Sequence, residues 1–204
     1  MKGLLLKDFY TLVKQLKIVL LFLVIMTVVP GINQSAFAMI YFAMMPITAM
    51  AYDERCKWDS LAAMMPYTAK DLVLSKYLLG YIGMGTACVL SIGANSIIKL
   101  FQHSSMTAED ALAILLIACA GVILLAVNLP FIFRFGVEKG RIIFMVIIAV
   151  SVFALMMAGD KIKILIASSL ISPVLLAGIG VSAAILTNLI SIAISNAVYK
   201  RKVL

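Results

Sequence analysis

Long apolar runs alternate with short polar segments along almost the whole of this chain. An α-helix needs about 20 apolar residues to cross a bilayer, and runs of this kind recur through the sequence. The pattern predicts an all-α, polytopic membrane protein with six transmembrane helices. The runs are the segment "IVLLFLVIMTVVPG" after Lys17 and approximately residues 37–52, 77–98, 111–133, 142–158 and 174–199.

The first 17 residues have a pattern of their own. Lysines at positions 2, 7, 14 and 17 stand between apolar residues that recur at helical spacing. This predicts an amphipathic helix over residues 1–17 at the cytoplasmic membrane surface. A basic start followed by an apolar run and "AFA" also fits a cleavable signal peptide, but the long basic region and the later runs favour an uncleaved span.

A polar insert, residues 53–66, separates the second and third runs. Read as a helix from about Glu54 to Met65, it has one apolar stripe, formed by Trp58, Leu61, Ala62 and Met65. Pro66 disfavours further helix, and Thr68 with Asp71 matches a capping box that starts the next helix. Two interpretations stay open on composition alone: a helix in the lipid headgroup layer, anchored by Trp58, or a docking helix for a cytoplasmic partner.

The positive charges are distributed unevenly over the two sides of the predicted bundle. A net charge of +8 would suggest nucleic acid in a soluble protein, but here the charges lie between apolar runs, so we expect no nucleic-acid partner. Of 17 Lys and Arg residues, 14 fall on one side, which predicts that this side and both termini are cytoplasmic. The 14 are Lys2, Lys7, Lys14, Lys17, Arg55, Lys57, Lys70, Lys76, Arg134, Lys139, Arg141, Lys200, Arg201 and Lys202; the other three are Lys99, Lys161 and Lys163.

Composition supports the same class of protein. The chain is 64% apolar and only 13% charged, with a mean hydropathy of +1.14, which exceeds what a soluble domain of 204 residues can bury. We therefore expect a single transmembrane domain over residues 1–204, in contact with the lipid bilayer. The three cysteines form no C-x-x-C pair, and we expect no disulfide and no metal site.

The sequence lacks the parts of a motor or an enzyme. It contains no G-x-x-x-x-G-K-[ST] loop for ATP and no G-x-S-x-G or H-E-x-x-H motif. The apolar runs contain almost no ionisable residues, which ion-coupled carriers need at membrane depth. We therefore expect no catalytic residues and no cofactor, and any transport would draw its energy from another subunit.

Small and polar residues within the runs have a structural interpretation. We favour hydrogen bonding between helices over a substrate site for Asn95, Ser96, Asn128, Asn188 and Asn196. The segments "GYIGMG" and "GIG" allow helices to approach closely, and Pro46, Pro130 and Pro173 are expected to kink their helices.

Three segments together resemble a known family. They are "MKGLLLKDFYTLVKQLK", "DERCKWDSLAAMMPYTAKDLVLSKYL" and "SNAVYKRK". The chain is similar over essentially its whole length to the small membrane subunits of type 2 ABC exporters, short six-span permeases common in Firmicutes. The most specific part runs from Glu54 to Trp58 and on to the pattern from Pro66 to Tyr77; "MMPYTAK" departs mildly from the "LPVSRK" often found there.

The resemblance implies a division of labour. Two permease subunits, as a homodimer or heterodimer in the bacterial cell membrane, form the pathway, and separate ATPase subunits bind ATP. Residues 1–17 would be the elbow helix, and the insert would be the coupling helix that docks on the ATPase. The coupling candidates are Glu54, Lys57, Trp58, Leu61 and Met65.

The cargo and two other functions stay open. Amphipathic or antimicrobial peptides are the suggested cargo of an exporter this small, with lipids and drugs as alternatives. The chain could instead be the substrate-binding membrane component of a vitamin or metal importer. A third alternative is an immunity-type membrane protein without a transport cycle.

Overall fold

The computed structural model of the protein describes residues 3–12, 34–101, 107–167 and 173–203. Within these ranges all regular secondary structure is α-helical, which confirms the predicted all-α class. Helix α1 covers residues 3–12. It is followed by α2 (Gln34–Ala43), α3 (Met45–Arg55), α4 (Trp58–Ala63), α5 (Ala69–Phe101), α6 (Ala108–Phe135), α7 (Val137–Ala167) and α8 (Pro173–Val203).

Four segments of the described chain are long and apolar enough to cross a membrane: Ser35–Arg55, Ala69–Leu100, Asp110–Phe135 and Ala177–Arg201. They contain the second, third and fourth predicted spans and most of the sixth. The first predicted span, and residues 13–17 of the predicted elbow helix, lie outside the described residues. The fifth falls within α7, a helix of 31 residues that is not among the four candidates. A count of six spans therefore stays a prediction.

The prolines act in three different ways. Pro46 lies in the first turn of α3, where its missing N–H costs no hydrogen bond, and the chain turns at Met44 between α2 and α3. Pro173 is the first residue of α8. Pro130 lies inside α6, which nevertheless continues to Phe135.

Two long helices start with the same local device. The hydroxyl of Thr68 accepts from the Asp71 N–H and the Asp71 carboxylate accepts from the Thr68 N–H, each at 3.2 Å, which confirms the predicted capping box. Thr107 and Asp110 form a second box at the start of α6. The prediction treated residues 99–110 as a polar loop and missed this box. Asp110 also accepts from Lys99, so the ends of α5 and α6 are joined there.

The core lies where α2, α5 and α6 meet, around Phe42, Tyr77 and Leu125. Gly80 makes this contact possible, because a methyl group there would lie 2.4 Å from a Leu125 methyl carbon. Gly83 packs against Phe42 and Met45, as predicted for "GYIGMG", whereas Gly85 has no described neighbour within 4 Å of its added methyl position.

We call one end of the bundle the basic end. It comprises α1, the insert from Asp53 to Pro66, the start of α5, the α6–α7 turn at Gly136 and the end of α8. The Lys76–Asp8 ion pair joins α5 to α1, and the T-shaped contact between Phe133 and Tyr199 joins α6 to α8. The described Lys and Arg residues that were predicted for the cytoplasmic side therefore lie on segments that meet at the basic end. Lys99, predicted for the opposite side, lies at the opposite end of the bundle.

Candidate functional site

The insert is not one continuous helix: its first residues are the end of α3, and the short helix α4 follows after a turn. Helix α3 ends at Arg55, and Lys57 takes a left-handed backbone conformation with φ 52° and ψ 39° before α4 begins at Trp58. The predicted continuous helix from Glu54 to Met65 is therefore wrong. The second span continues as α3 to Arg55, and the left-handed residue then redirects the chain into α4, which has only six residues.

Helix α4 divides the predicted apolar stripe between two surfaces. Ala62 is buried and Trp58 is half-buried against the protein. Leu61 and Met65 are 48% and 40% exposed, and neighbouring Met64 is 83% exposed. We call Leu61, Met64 and Met65 the insert patch. Such an apolar patch on a charged segment beyond a membrane span is typical of an interaction surface.

The two charged coupling candidates lie on either side of the end of α3: Glu54 is in its last turn, and Lys57 is in the turn before α4. Glu54 and Lys57 are both exposed. One carboxylate oxygen of Glu54 lies 3.1 Å from the position that a Cβ atom would occupy at Gly136, so Glu54 lies against the α6–α7 turn. The structure thus brings all five candidates into one segment, and only Trp58 lies partly inside the protein.

Four charged side chains from three helices, two of them buried and two half-buried, form a cluster beside the insert. We call Lys7 and Asp8 of α1, Asp53 of α3 and Lys76 of α5 the charged cluster. The Lys76 ammonium nitrogen lies 2.7 Å from an Asp8 oxygen and 2.6 Å from an Asp53 oxygen. The Lys7 nitrogen lies 2.5 Å from the other Asp53 oxygen and 3.2 Å from the other Asp8 oxygen. Each carboxylate therefore lies between two ammonium groups.

The cluster extends to the insert through an aromatic ring. The Lys7 ammonium lies over the ring of Trp58, 4.1 Å from its centroid, a distance at which a cation is attracted to the face of an indole. Helices α1, α3, α4 and α5 are thus held together at one place. Trp58 therefore contacts α1 directly, a role that the sequence did not indicate.

Sequence reasoning missed this cluster. Lys7 and Lys76 were counted only as positive charges that set the topology. A signal was present in Asp8, an acidic residue within an otherwise basic helix, because an acid in such a place calls for a nearby partner. Its partner Lys76 is 68 residues further along, and Asp53, the second carboxylate of the cluster, is 45 residues further along, so no local pattern connects them.

A small cavity adjoins the cluster. It has a volume of about 50 Å³, and its walls include Asp53, Glu54, Trp58 and Lys76. A space of this size holds a few water molecules but no cargo. Among the described residues no group of His, Cys, Asp and Glu side chains could hold a metal ion.

Two of the polar residues predicted to bond between helices, Asn95 and Asn188, do so, while the Ser96 hydroxyl donates to the Ile92 carbonyl within α5. The Asn95 amide donates to the Ser35 hydroxyl at 2.9 Å and joins α5 to α2. Asn188 of α8 accepts from the Tyr81 hydroxyl at 2.8 Å. Asn128 and Asn196 differ: among the described residues, the buried side-chain amide of Asn128 and the buried side-chain oxygen of Asn196 have no hydrogen-bond partner.

One comparison with known proteins gives a match. The family model described as ABC-2 family transporter protein matches residues 3–200. The matched range contains α1, the whole insert and most of α8. No curated protein and no solved structure matches the chain.

Proposed function

Because the chain belongs to the ABC-2 family of transporter proteins, we propose that it is the permease subunit of an ATP-driven exporter. The family match confirms the resemblance noted from the sequence and identifies a membrane component of a transporter. In our proposal the insert patch docks on a separate ATPase subunit, which binds and hydrolyses ATP. The absence of a G-x-x-x-x-G-K-[ST] loop from the sequence supports this division.

The exposure of the insert patch carries the proposal. Leu61, Met64 and Met65 present apolar surface beyond the end of the second span, beside the exposed charges of Glu54 and Lys57. A helix that only lies on lipid has a polar face rich in Lys and Arg, whereas this segment has a near balance of acids and bases. Apolar residues surrounded by mixed charges are typical of a protein interface.

The distribution of charge supports the orientation that we propose. The segments that meet at the basic end carry most of the positive charge, and such segments remain on the cytoplasmic side of bacterial membranes. Both termini and the insert would then face the cytoplasm, where an ATPase subunit is available. This orientation is a requirement of the proposal.

The lateral surfaces of the bundle support an apolar pathway formed by two subunits. A groove of about 340 Å³ between α5, α6 and α8 is lined almost entirely by apolar side chains, with Tyr81 and Asn188 as its polar pair. Such a surface suits cargo that enters from the bilayer, and we propose amphipathic peptides. In this proposal a second permease subunit, identical or related, completes the pathway.

Replacing Leu61 by Glu tests the docking surface. We expect co-purification of the ATPase subunit to fall about tenfold or more, a loss of about 1.4 kcal/mol, because a carboxylate without a partner would be withdrawn from water where an apolar side chain docks. Binding of the native ATPase partner to the detergent-solubilised permease is the measurement.

The matched control is Leu100→Glu. Leu100 is 77% exposed but lies at the opposite end of α5. The control should retain the ATPase. Equal retention by Leu61→Glu and Leu100→Glu would contradict the proposed docking surface.

A further inference from the structure

The charged cluster connects α1 to the insert through ion pairs that are largely withdrawn from solvent. The Asp8 side chain is 2% exposed and the Lys76 side chain 10%, so the charges of this pair are largely withdrawn from solvent. Buried ions are tolerated when each has a partner of opposite charge, and the loss of one partner leaves an uncompensated charge. Two Lys and two Asp side chains make this cluster neutral as a whole.

The connectivity of the cluster determines which parts must move together. Lys7 and Asp8 are adjacent in α1, and both contact residues of other helices. Asp53 lies at the end of α3, close before the left-handed turn, and receives one ammonium group from α1 and one from α5. Lys7 also covers the Trp58 ring at the start of α4. A displacement of the insert relative to α1 would break several of these contacts at once.

Apolar contacts also attach α1 to the helices that meet at the charged cluster. Leu12 of α1 is fully buried in a small cluster with Ala49 of α3 and Leu79 of α5. Leu4 of α1 lines the small cavity beside Trp58. The described part of α1 is therefore attached at its beginning, middle and end.

We propose that α1 and the insert move as one rigid body when the ATPase subunit acts on the insert patch, and that the charged cluster is their joint. This inference rests on the proposed function. The Lys7–Asp53 pair joins α1 to the insert, and Asp8 and Lys76 are positioning residues: Asp8 lies beside Lys7 and Lys76 beside Asp53, and they balance the charges of that pair without touching the ATPase. The motor would thereby act on the membrane-surface helix as well as on the spans.

Distance measurements in the complete transporter test this directly. Cys56 is exposed between α3 and α4 and can carry one spin label once Cys88 and Cys119 are replaced by Ser. The second label is placed at Tyr10→Cys, on an exposed position of α1, or at Leu100→Cys, at the opposite end. Distances are compared between the nucleotide-free and the ATP-trapped complex.

The two label pairs have different expected results. The distance from Cys56 to position 10 should be the same in both states, while the distance from Cys56 to position 100 changes. A change in the first distance would overturn the inference, because α1 and the insert would then move separately. An unchanged second distance would also overturn it, because the insert would not move.

Variants of the cluster supply the functional test. In Asp8→Asn, two ammonium groups share one carboxylate, and we expect transport to fall about tenfold and the Cys56-to-10 distance to vary between states, while ATPase co-purification is retained. Asp8→Asn combined with Lys76→Met restores a one-to-one balance between Lys7 and Asp53, so it should recover transport. Equal loss in the single and double variants would contradict a specific ionic joint.

Failure of the proposed docking surface and failure of the proposed ionic joint would give different experimental results. If Leu61→Glu retains the ATPase, the proposed docking surface is wrong. If Leu61→Glu loses the ATPase but Asp8→Asn transports normally with a fixed Cys56-to-10 distance, docking stands and the ionic joint is wrong.

Discussion

Lys57 is a non-glycine residue with a positive φ, and its conformation separates α3 from α4. Because a side chain with a Cβ atom crowds the backbone in the left-handed region, Lys is held there by the structure on either side of it. Helical periodicity could not predict this break, since Lys57 is compatible with a helix and the surrounding pattern fits one. As a result, the apolar residues of the insert do not lie on one face: Ala62 is buried, whereas Leu61 and Met65 are exposed.

Substitution at Lys57 should reveal this conformation. We expect Lys57→Val to be less stable than Lys57→Gly by roughly 1–2 kcal/mol, because a β-branched residue tolerates positive φ least and glycine tolerates it best. Thermal unfolding of the purified protein in detergent is the measurement. At exposed Lys70, in the first turn of α5, the order should reverse, since glycine is a poorer helix former than valine. The same order at both sites would contradict the left-handed turn.

Local sequence patterns predict where a helix starts, but they do not predict the contacts that hold one helix against another. The sequence "TAKD" at Thr68 identified a capping box that the structure confirms. The sequence "TAED" at Thr107 carries the same signal, so the second box could have been predicted by the same reasoning. The charged cluster could not, because its members come from three helices that are far apart in the sequence.

The two capping boxes make a prediction for helix stability. Thr68→Ala and Thr107→Ala should each destabilise the protein by about 1 kcal/mol, the usual cost of losing a side-chain N-cap. The control is Thr187→Ala, in the middle of α8, where the hydroxyl bonds back to the Ala183 carbonyl and caps no helix end. Thermal unfolding compares the three variants, and a larger loss at Thr187 would argue against the caps.

For the whole molecule, hydropathy predicted the spans because lipid imposes length and composition on each of them. Four predicted spans correspond to candidate spans in the described chain. Periodicity did not predict which face of α4 is exposed, because that depends on contacts with other helices, such as the contact of Lys7 with Trp58. Nor could the sequence show that segments predicted for one side of the membrane, such as residues 1–17 and the start of α5, touch through ion pairs.

The proposed orientation predicts where Cys56 is accessible. In a variant with Cys88 and Cys119 replaced by Ser, a membrane-impermeant thiol reagent should label Cys56 in inverted membrane vesicles but not in intact cells, because the insert faces the cytoplasm in the proposed orientation. Leu100→Cys, in a background that also lacks Cys56, should show the opposite pattern. Labelling of Cys56 in intact cells would contradict the orientation.

The account depends most on the claim that an ATPase subunit holds the insert patch. A photo-crosslinking amino acid in place of Met64, the most exposed residue of that patch, tests the claim in native membranes. We predict a crosslinked product that contains the permease and an ATPase subunit, and no such product when the crosslinker replaces Leu100. Crosslinks from position 64 to lipid alone, or equal ATPase crosslinking from both positions, would contradict the claim.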